Sequence, residues 1–313
     1  MGVTASALGA IGGTPLIQLR TVLPAASADV LVKVEGGNPT GSYKDRMALA
    51  IIEGAESKGA LRPGQPVVEY TGGSTGSSLA FVCAVKGHPL WLVSSDAFAP
   101  EKLRTMRAFG AELTVVPSEC GKITPGLFVA MEEETIRIAE REGAYWPRQF
   151  HNTDALTGYA ELGREILAQV TADGRTIDAF CAAVGTAGML AGVSRALREA
   201  GFGGPVIALE PAESPVLTAG RTGAHHVEGI GTGIVPPLLT RDVYDEARAV
   251  AEADARAMAV RLARSEGIFA GTSSGLNVAG AITVARELGP GRTVVTVAVD
   301  TGLKYLAGDL FGR

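Results

Sequence analysis

Short apolar runs that alternate with amphipathic segments constrain the fold of this chain more than any other feature of its sequence. Near-continuous apolar strands separated by helices are typical of parallel sheets that helices cover on both faces. The predicted strands, rich in Val, Ile and Leu, cover 30–34, 67–70, 90–94, 112–116, 177–183, 206–210 and 293–299. The predicted helices cover 42–58, 77–86, 100–109, 127–141, 159–170, 186–199, 254–267 and 275–288. The pattern therefore predicts an α/β fold.

Two groups of strand–helix units lie before and after a loop around Tyr145–His151. A two-domain α/β chain binds its ligand in the cleft between the domains, at the carboxyl ends of the strands. The glycine-rich turns of this chain follow predicted strands or open predicted helices. We therefore expect these turns to converge on one rim of a cleft.

Composition excludes several classes of function. The 313 residues are 46% hydrophobic and 19% charged, which is typical of a compact globular protein. A net charge of −5 without a basic stripe argues against nucleic acid or an anionic membrane as the partner. Three widely spaced cysteines, at 83, 120 and 181, indicate neither a disulfide framework nor a zinc site, and we expect no metal. The N-terminal residues lack the pattern of a signal peptide, so we expect a cytoplasmic protein.

A lysine in the first turn of a predicted helix is the most informative single residue. Lys44 lies in the run Gly36–Arg46 (GGNPTGSYKDR), where a loop passes directly into the helix. A solvated lysine usually lies late in a helix, where its charge complements the helix dipole. At the positive end of a helix, beside glycines that let backbone approach a ligand, a lysine loses part of its preference for the charged form. This prepares a Schiff-base nucleophile, although a lysine that merely extends to solvent remains an alternative for this run alone.

Three further turns are rich in Gly, Ser and Thr, at 69–78, 182–189 and 266–275. The first turn offers N–H groups and hydroxyls at a helix start, which would fit a carboxylate. The alternative is a turn that only connects a strand to a helix. The second (AAVGTAGM) lets backbone surround a phosphate, and it has neither the P-loop lysine nor the G-x-G-x-x-G fingerprint of a dinucleotide site. In the third, Ser273 and Ser274 are either helix N-caps or hydroxyls directed at a ligand.

These elements together match the needs of pyridoxal 5′-phosphate (PLP), which requires a Schiff-base lysine, a phosphate site and a partner for its ring nitrogen. The chain resembles a fold-type II PLP-dependent enzyme of the cysteine synthase / cystathionine β-synthase family through nearly its whole length. Five motifs carry the resemblance in family order: Gly12–Leu16 (GGTPL), Asn38–Arg46 (NPTGSYKDR), Gln149-Phe150, Glu228–Gly231 (EGIG) and Gly267–Gly275 (GIFAGTSSG).

The resemblance implies the tryptophan synthase β-like fold. Two α/β domains with parallel-type twisted sheets flanked by helices would hold PLP in the cleft between them. The N-terminal domain would comprise 1–12 and 36–150, with the Schiff-base lysine and the substrate loop. The C-terminal domain would comprise 13–35 and 151–313, with the phosphate loop and the serine for the pyridine nitrogen.

The resemblance also implies roles for individual residues. Lys44 would hold the cofactor covalently and take the Cα proton of the substrate, and Ser273 would face the pyridine nitrogen. The implied cofactor-binding residues are Lys44, Ser74, Gly185, Thr186, Ala187, Gly188, Met189 and Ser273. The implied substrate-binding residues, which would hold the amino acid and its α-carboxylate, are Thr71, Gly72, Gly73, Thr75, Gln149 and Gly229.

Two departures from the family pattern bear on the substrate. The family loop is usually Thr-Ser-Gly-Asn-Thr, with the asparagine contacting the 3′-oxygen of the cofactor, whereas Thr71–Thr75 reads TGGST with the shorter Ser74. The phosphate loop reads GTAGM where GTGGT is commoner, which removes one hydroxyl. These departures leave the cofactor prediction unchanged and leave the exact substrate open.

The function that the resemblance implies is PLP-dependent β-replacement. An activated serine, by default O-acetylserine, would lose its leaving group to give an aminoacrylate, which sulfide or another nucleophile attacks. The alternatives are a β-eliminating lyase, a deaminase or a racemase on the same scaffold. A non-catalytic PLP-binding protein is disfavoured by the presence of Lys44 and Ser273. The expected partners are small molecules, with no nucleic acid and no membrane, and family analogy implies a homodimer.

Overall fold

The computed structural model describes residues 3–122 and 124–312. The strands are β1 (Leu16–Gln18), β2 (Asp29–Val34), β3 (Val67–Tyr70), β4 (Leu90–Ser95), β5 (Glu112–Val116), β6 (Ala179–Ala183), β7 (Val206–Pro211), β8 (Glu246–Val250) and β9 (Thr293–Ala298). The α-helices are α1 (Lys44–Ser57), α2 (Ser74–Lys86), α3 (Pro100–Ala108), α4 (Pro125–Glu142), α5 (Asp154–Ala172), α6 (Gly188–Glu199), α7 (Val216–Ala219), α8 (Glu252–Arg261) and α9 (Thr272–Leu288). Short 3-10 helices cover Ala7–Ala10, Glu35–Gly37 and Gly302–Tyr305, and a π-turn (Leu262–Glu266) follows α8.

The strands form two sheets. The larger has the order β1-β2-β9-β6-β7-β8, and its strands pair in parallel except for β1, which runs antiparallel to β2. The smaller has the order β3-β4-β5 and is parallel. This topology confirms the predicted α/β class with mainly parallel sheets. The division into two domains at the residues given above stays a prediction.

Side chains of the larger sheet alternate between two hydrophobic cores. Leu31 and Val295 point into the core shared with α5 and α6, whereas Val30 and Val294 point into the core shared with α8 and α9. Because both faces of these strands are covered, their sequences read as nearly continuous apolar runs. The periodic signal therefore predicted the central strands well.

The elements that the sequence missed lie where this signal is weak. The strands β1 and β8 are the two edges of the larger sheet. In β8 (EARAV) Glu246 is exposed and Arg248 half-buried, because an edge strand is only partly covered. The predicted starts of α2 and α9 were wrong, because both helices begin three residues earlier, after the N-cap glycines Gly73 and Gly271. The serines and threonines of these first turns therefore belong to the helices and not, as predicted, to the preceding loops.

An ion-pair network fixes the first turn of α1 against the larger sheet. Arg46 donates to Glu35, at the end of β2, from Nε (2.7 Å) and Nη2 (2.9 Å), and to Glu165 of α5 from Nη1 (2.8 Å) and Nη2 (2.9 Å). Nζ of Lys33 donates to the same Glu165 at 2.7 Å. Glu35 and Lys33 are fully buried. The network thus ties the helix that begins at Lys44 to the end of β2, 11 residues before Arg46, and to α5, 119 residues after it.

Acidification is expected to destabilise the fold through Glu165. Burial alone would raise the pKa of this carboxyl, but hydrogen bonds from Arg46 and Lys33 outweigh it and lower the pKa from 4.5 to about 2. A carboxyl with a lower pKa in the folded chain stabilises the fold above the unfolded pKa, and this contribution is lost as the pH falls through the folded pKa. The free energy of unfolding, measured by urea titration, should therefore fall by about 3 kcal/mol through this group between about pH 6 and pH 2.

The control for this prediction lies one turn earlier on the same helix. Glu165→Gln should flatten the pH slope, whereas Glu161→Gln, at an exposed ion pair with Arg164, should leave it unchanged. A wild-type slope in the Glu165→Gln variant would contradict the assignment.

Candidate active site

The side-chain amine of Lys44 is buried and has no polar partner among the described residues. Lys44 is the first residue of α1 and is 7% exposed, so the alternative of a solvent-directed side chain is wrong. Its Nζ lies 4.5 Å from the ring centroid of Tyr43 and 6.0 Å from that of Tyr159. Within residues 3–122 and 124–312 the Nζ atom forms no hydrogen bond and no ion pair, whereas the backbone N–H donates to Oγ of Ser42 at 3.2 Å. An amine held in this way is available to a ligand.

The predicted phosphate loop lies between β6 and α6. A Cβ atom at Gly188 would lie 3.3 Å from the ring of Tyr159, and Nζ of Lys44 lies 6.0 Å from the centroid of the same ring, so the start of α6 and the Lys44 amine both lie near this ring. A Cβ atom at Gly185 would lie 2.3 Å from the carbonyl oxygen of Gly229, so only glycine fits at that position. The loop is therefore packed between Tyr159 and the segment that contains Gly229.

The donors of this loop suit a phosphate group. Gly185, Thr186, Ala187, Gly188 and Met189 are buried. In the described part of the chain, the N–H groups of Gly185, Thr186 and Ala187 donate no hydrogen bond to the backbone. The first N–H groups of a helix such as α6 have no partner within the helix, and they face an anion favourably. Buried N–H groups require partners, and the oxygens of a phosphate would supply them.

Ala187→Gly is expected to stabilise the protein. Ala187 is the N-cap of α6 and has φ +67°, in the left-handed region that costs a residue with a Cβ about 1–2 kcal/mol. Because glycine adds about 0.5–1 kcal/mol of chain entropy to the cost of folding, the net gain should be about 0.5–1 kcal/mol in urea unfolding. Ala191→Gly, in the interior of α6, is the matched control and should lose about 1 kcal/mol. A less stable Ala187→Gly variant would contradict this account.

The third turn places Ser273 and Ser274 in the first turn of α9, at the end of β9. Gly271 is the N-cap, so neither serine has the capping role. The Oγ atom of Ser274 accepts a hydrogen bond from the N–H of Val299 at 3.0 Å, and the carbonyl of Val299 accepts one from the N–H of Tyr43 at 2.9 Å. The start of α9 is thereby joined to the residue before Lys44. Ser273 is 4% exposed.

Asn277 was missed by sequence reasoning. One turn into α9, its Oδ1 accepts from the N–H of Ala183 at 2.7 Å, and its Nδ2 donates to the carbonyl of Val297 at 2.7 Å. Ala183 lies two residues before the phosphate loop. This amide therefore sets the position of the loop relative to β9 and α9, through a contact that no local motif indicates.

The predicted substrate loop crosses the start of α2. Oγ1 of Thr71 accepts from the N–H of Gly73 at 3.0 Å, and Oγ1 of Thr75 donates to Oε1 of Gln149 at 2.7 Å. Nε2 of Gln149 donates to the carbonyl of Tyr70 at 3.0 Å. The structure thus brings the loop and Gln149 together, and places the first N–H groups of α2 beside them.

Glu69, on β3, holds Gln149 in place beside this loop. It is fully buried, and its carboxyl accepts from Nε1 of Trp146 at 3.0 Å and from the N–H of Gln149 at 3.1 Å. Burial raises the pKa of the carboxyl to about 7, although these hydrogen bonds act to lower it. The strand-end glutamate therefore orients Gln149 towards the substrate loop.

A salt bridge joins the substrate-loop side of the site to the segment 228–231. Nζ of Lys102, on α3, bonds the carboxylate of Glu228, and a Cβ atom at Gly73 would lie 2.3 Å from Cδ of Lys102. Gly229 therefore lies beside the phosphate loop, whereas Glu228 reaches across to α3. The imidazole of His225 braces the same segment, with Nε2 at 2.9 Å from the carbonyl oxygen of Gly231.

Ser74 is the first residue of α2, and its Oγ accepts a hydrogen bond from Nζ of Lys304 at 3.3 Å. Lys304 lies in the 3-10 helix after β9 and was not anticipated from the sequence. Its neighbour Tyr305 donates to Oδ2 of Asp300 at 2.8 Å.

In the part of the chain that the structure describes, no group of three or more His, Cys, Asp or Glu side chains is arranged to hold a metal ion. Among the described helices, none is long and apolar enough to cross a membrane.

Comparison with known proteins identifies the class to which this site belongs. Residues 7–300 match the protein family described as "Pyridoxal-phosphate dependent enzyme". The chain therefore belongs to this family, and its cofactor is PLP. The buried amine of Lys44, the N–H groups of the phosphate loop and the hydroxyl of Ser273 are donors and acceptors of the kinds that PLP requires.

Within the family, the chain is similar to cysteine synthases and to an O-ureido-L-serine synthase. A cysteine synthase of Staphylococcus aureus is 43% identical over 304 residues, which cover 96% of this chain and 95% of the relative. The crystal structure of an O-ureido-L-serine synthase has a TM-score of 0.91 at 37% identity, over 99% of this chain and 96% of that one. A cysteine synthase structure from Entamoeba histolytica has a TM-score of 0.91 at 33% identity, over 100% of this chain and 92% of that one. These similarities confirm the predicted fold and family.

Proposed function

We propose that this protein catalyses PLP-dependent β-replacement, in which O-acetylserine or a similar activated serine exchanges its β-substituent for sulfide or another nucleophile. The observation that carries the proposal is the position of Lys44. Among the described residues this buried amine has no polar partner, and the N–H groups of Gly185, Thr186 and Ala187 in the nearby loop donate no backbone hydrogen bond. The similarity to cysteine synthases supports the same reaction. The product would be cysteine or a β-substituted alanine.

The residues of the phosphate loop would bind the cofactor. The N–H groups of residues 185–189 and the hydroxyl of Thr186 would hold its phosphate at the positive end of α6. The hydroxyl of Ser273 would face the ring nitrogen. A neutral hydroxyl does not stabilise a protonated ring nitrogen as a carboxylate would, which favours elimination of a β-substituent over long-lived carbanion chemistry.

The substrate loop would bind the amino acid. The N–H groups at the start of α2, from Ser74 onwards, would receive its α-carboxylate, with the amide of Gln149 and the hydroxyl of Thr75 at the side. Bound PLP supplies an electron sink for the charge that develops when the Cα proton leaves. Nζ of Lys44 would take that proton, since a buried amine in hydrogen-bond reach of the substrate can act as a general base.

Turnover of separate donors tests the proposal. The PLP-loaded protein is incubated with O-acetylserine, O-phosphoserine, serine or cysteine, with and without sulfide, and cysteine, pyruvate and sulfide are quantified. Cysteine formation from a serine derivative and sulfide supports the proposal. Pyruvate without a replacement product would assign the protein as a β-eliminating lyase or deaminase, and inversion of the amino acid at Cα without either product would assign a racemase.

The homodimer and the cytoplasmic location stay predictions. Sedimentation equilibrium of the purified protein tests the first, and cell fractionation tests the second. A monomer at micromolar concentration would contradict the family analogy on which the dimer rests.

A further inference from the structure

Four lysines of the described chain are buried: Lys33, Lys44, Lys102 and Lys304. Two of them have anionic partners, because Lys33 bonds Glu165 and Lys102 bonds Glu228. The other two have none within ion-pair distance in the ranges described. Of these, Lys44 already has a proposed role. Lys304 is therefore the remaining buried amine without a direct ion-pair partner among the described residues.

The surroundings of Lys304 hold it against the substrate loop. It is 8% exposed, and its hydrogen bond goes to the Oγ atom of Ser74 at 3.3 Å, a neutral group. Burial is the main reason why the pKa of Lys304 is lowered, while Asp300 and Asp45 act on it through space in the opposite direction. Lys102 adds to the lowering through like-charge repulsion. A buried ammonium gains most from an anion that comes into direct contact.

Two further observations favour an anion at this point. Ser74 is the first residue of α2, a helix of 13 residues, whose initial N–H groups and dipole favour negative charge. In the same first turn, Oγ of Ser77 is buried and has no hydrogen-bond partner among the described residues. The first turn of α2 thus contains the residue that Lys304 contacts, a hydroxyl without a partner among the described residues, and Thr75, which bonds Gln149. Their combined chemistry is that of an oxyanion site.

We propose that Lys304 and Ser74 form an oxyanion site at the start of α2, which binds a negatively charged oxygen of the cofactor or of the amino-acid substrate. The inference rests on the proposed function, since it places PLP and an amino acid in this site. Two oxygens have this chemistry, the phenolic oxygen on the pyridine ring and the α-carboxylate. In this site Ser74 would position the ammonium of Lys304, because its hydroxyl accepts one hydrogen bond from Nζ. The other N–H groups of the ammonium would then donate to the ligand oxygen.

Binding measurements on Lys304→Met distinguish the two sources. If the phenolic oxygen is bound, apo-protein titrated with PLP should show a dissociation constant raised about tenfold or more, and a shifted visible absorption band before any amino acid is added. If the α-carboxylate is bound, the PLP constant and the band should stay as in wild type. The dissociation constant of L-serine, titrated on the PLP-loaded protein, should then rise about tenfold or more.

Matched variants separate this role from a structural one. Lys304→Arg keeps the charge and should restore most of the lost affinity, and Ser74→Ala should weaken the same constant as Lys304→Met to a smaller extent. Lys86→Met changes the lysine at the opposite end of α2 and should leave both constants unchanged. Should Lys304→Met not fold, Ser74→Ala and Lys304→Arg still report on the site.

Unchanged PLP and L-serine constants, together with an unchanged absorption band, in both Lys304→Met and Ser74→Ala would overturn the proposal. These readouts need no turnover. Failure of the proposed function would appear separately, as wild-type protein that makes no replacement product from O-acetylserine and sulfide.

Discussion

Lys44→Ala should abolish covalent attachment of the cofactor and lower the rate of β-replacement by at least about 10³-fold. Nζ of Lys44 has two proposed roles: it is the nucleophile that holds the cofactor and the base that takes the Cα proton. Loss of a general base alone typically lowers the reaction rate about 10²–10⁴-fold. The phosphate loop is untouched by the substitution, so the variant should still bind PLP non-covalently. Borohydride reduction followed by peptide mass mapping measures the attachment, and product formation measures the rate.

The chain offers both a control and a rival for this assignment. Lys58 lies at the other end of the same helix in an exposed ion pair with Asp154, and Lys58→Ala should change neither readout. The rival is Lys304, which is also buried and also lies at the candidate site. A borohydride-stable adduct mapped to Lys304, or an adduct that persists in Lys44→Ala, would refute the proposed role of Lys44.

Arg46→Met should lower the free energy of unfolding by about 3–5 kcal/mol. The substitution keeps most of the side-chain volume but leaves Glu35, which is fully buried, without the guanidinium that donates to both of its oxygens. A buried charge that loses its partner costs far more than a lost surface pair, because the remaining charge stays in a medium that solvates it poorly. Urea unfolding of the PLP-free protein measures the loss without the contribution of bound cofactor.

Removing the orphaned charge together with Arg46 is the sharpest check. The double variant Glu35→Gln/Arg46→Met should be more stable than Arg46→Met alone, because no uncompensated carboxylate remains at position 35. Arg137→Met, at an exposed ion pair with Glu134 on α4, should change the free energy of unfolding by less than about 1 kcal/mol. Equal losses in the Arg46 and Arg137 variants would contradict the buried-network account.

The sequence was most informative where all residues of a functional motif lie within one turn of the chain. The strand, loop and helix start around Ala182–Met189 could be predicted because they are contiguous in the chain, and phosphate binding by this loop stays a prediction. The lysine motif was recognisable for the same reason, and its resemblance to a known family gave the cofactor that the family comparison confirms. The first turns of α2 and α9 were placed too late, since local sequence does not distinguish a serine in a loop from one in the first helical turn.

By itself the sequence determined the α/β class, the family and the cofactor, because periodicity and turn motifs are encoded by neighbouring residues. Only the tertiary structure decided which distant side chains meet. Asn277 positions the phosphate loop across 94 residues, and Lys304 reaches Ser74 across 230. Such contacts depend on how sheets and helices pack, and a lone asparagine or lysine in the chain gives no local sign of its partner. The identity of the charged group beside the substrate loop therefore came from the fold alone.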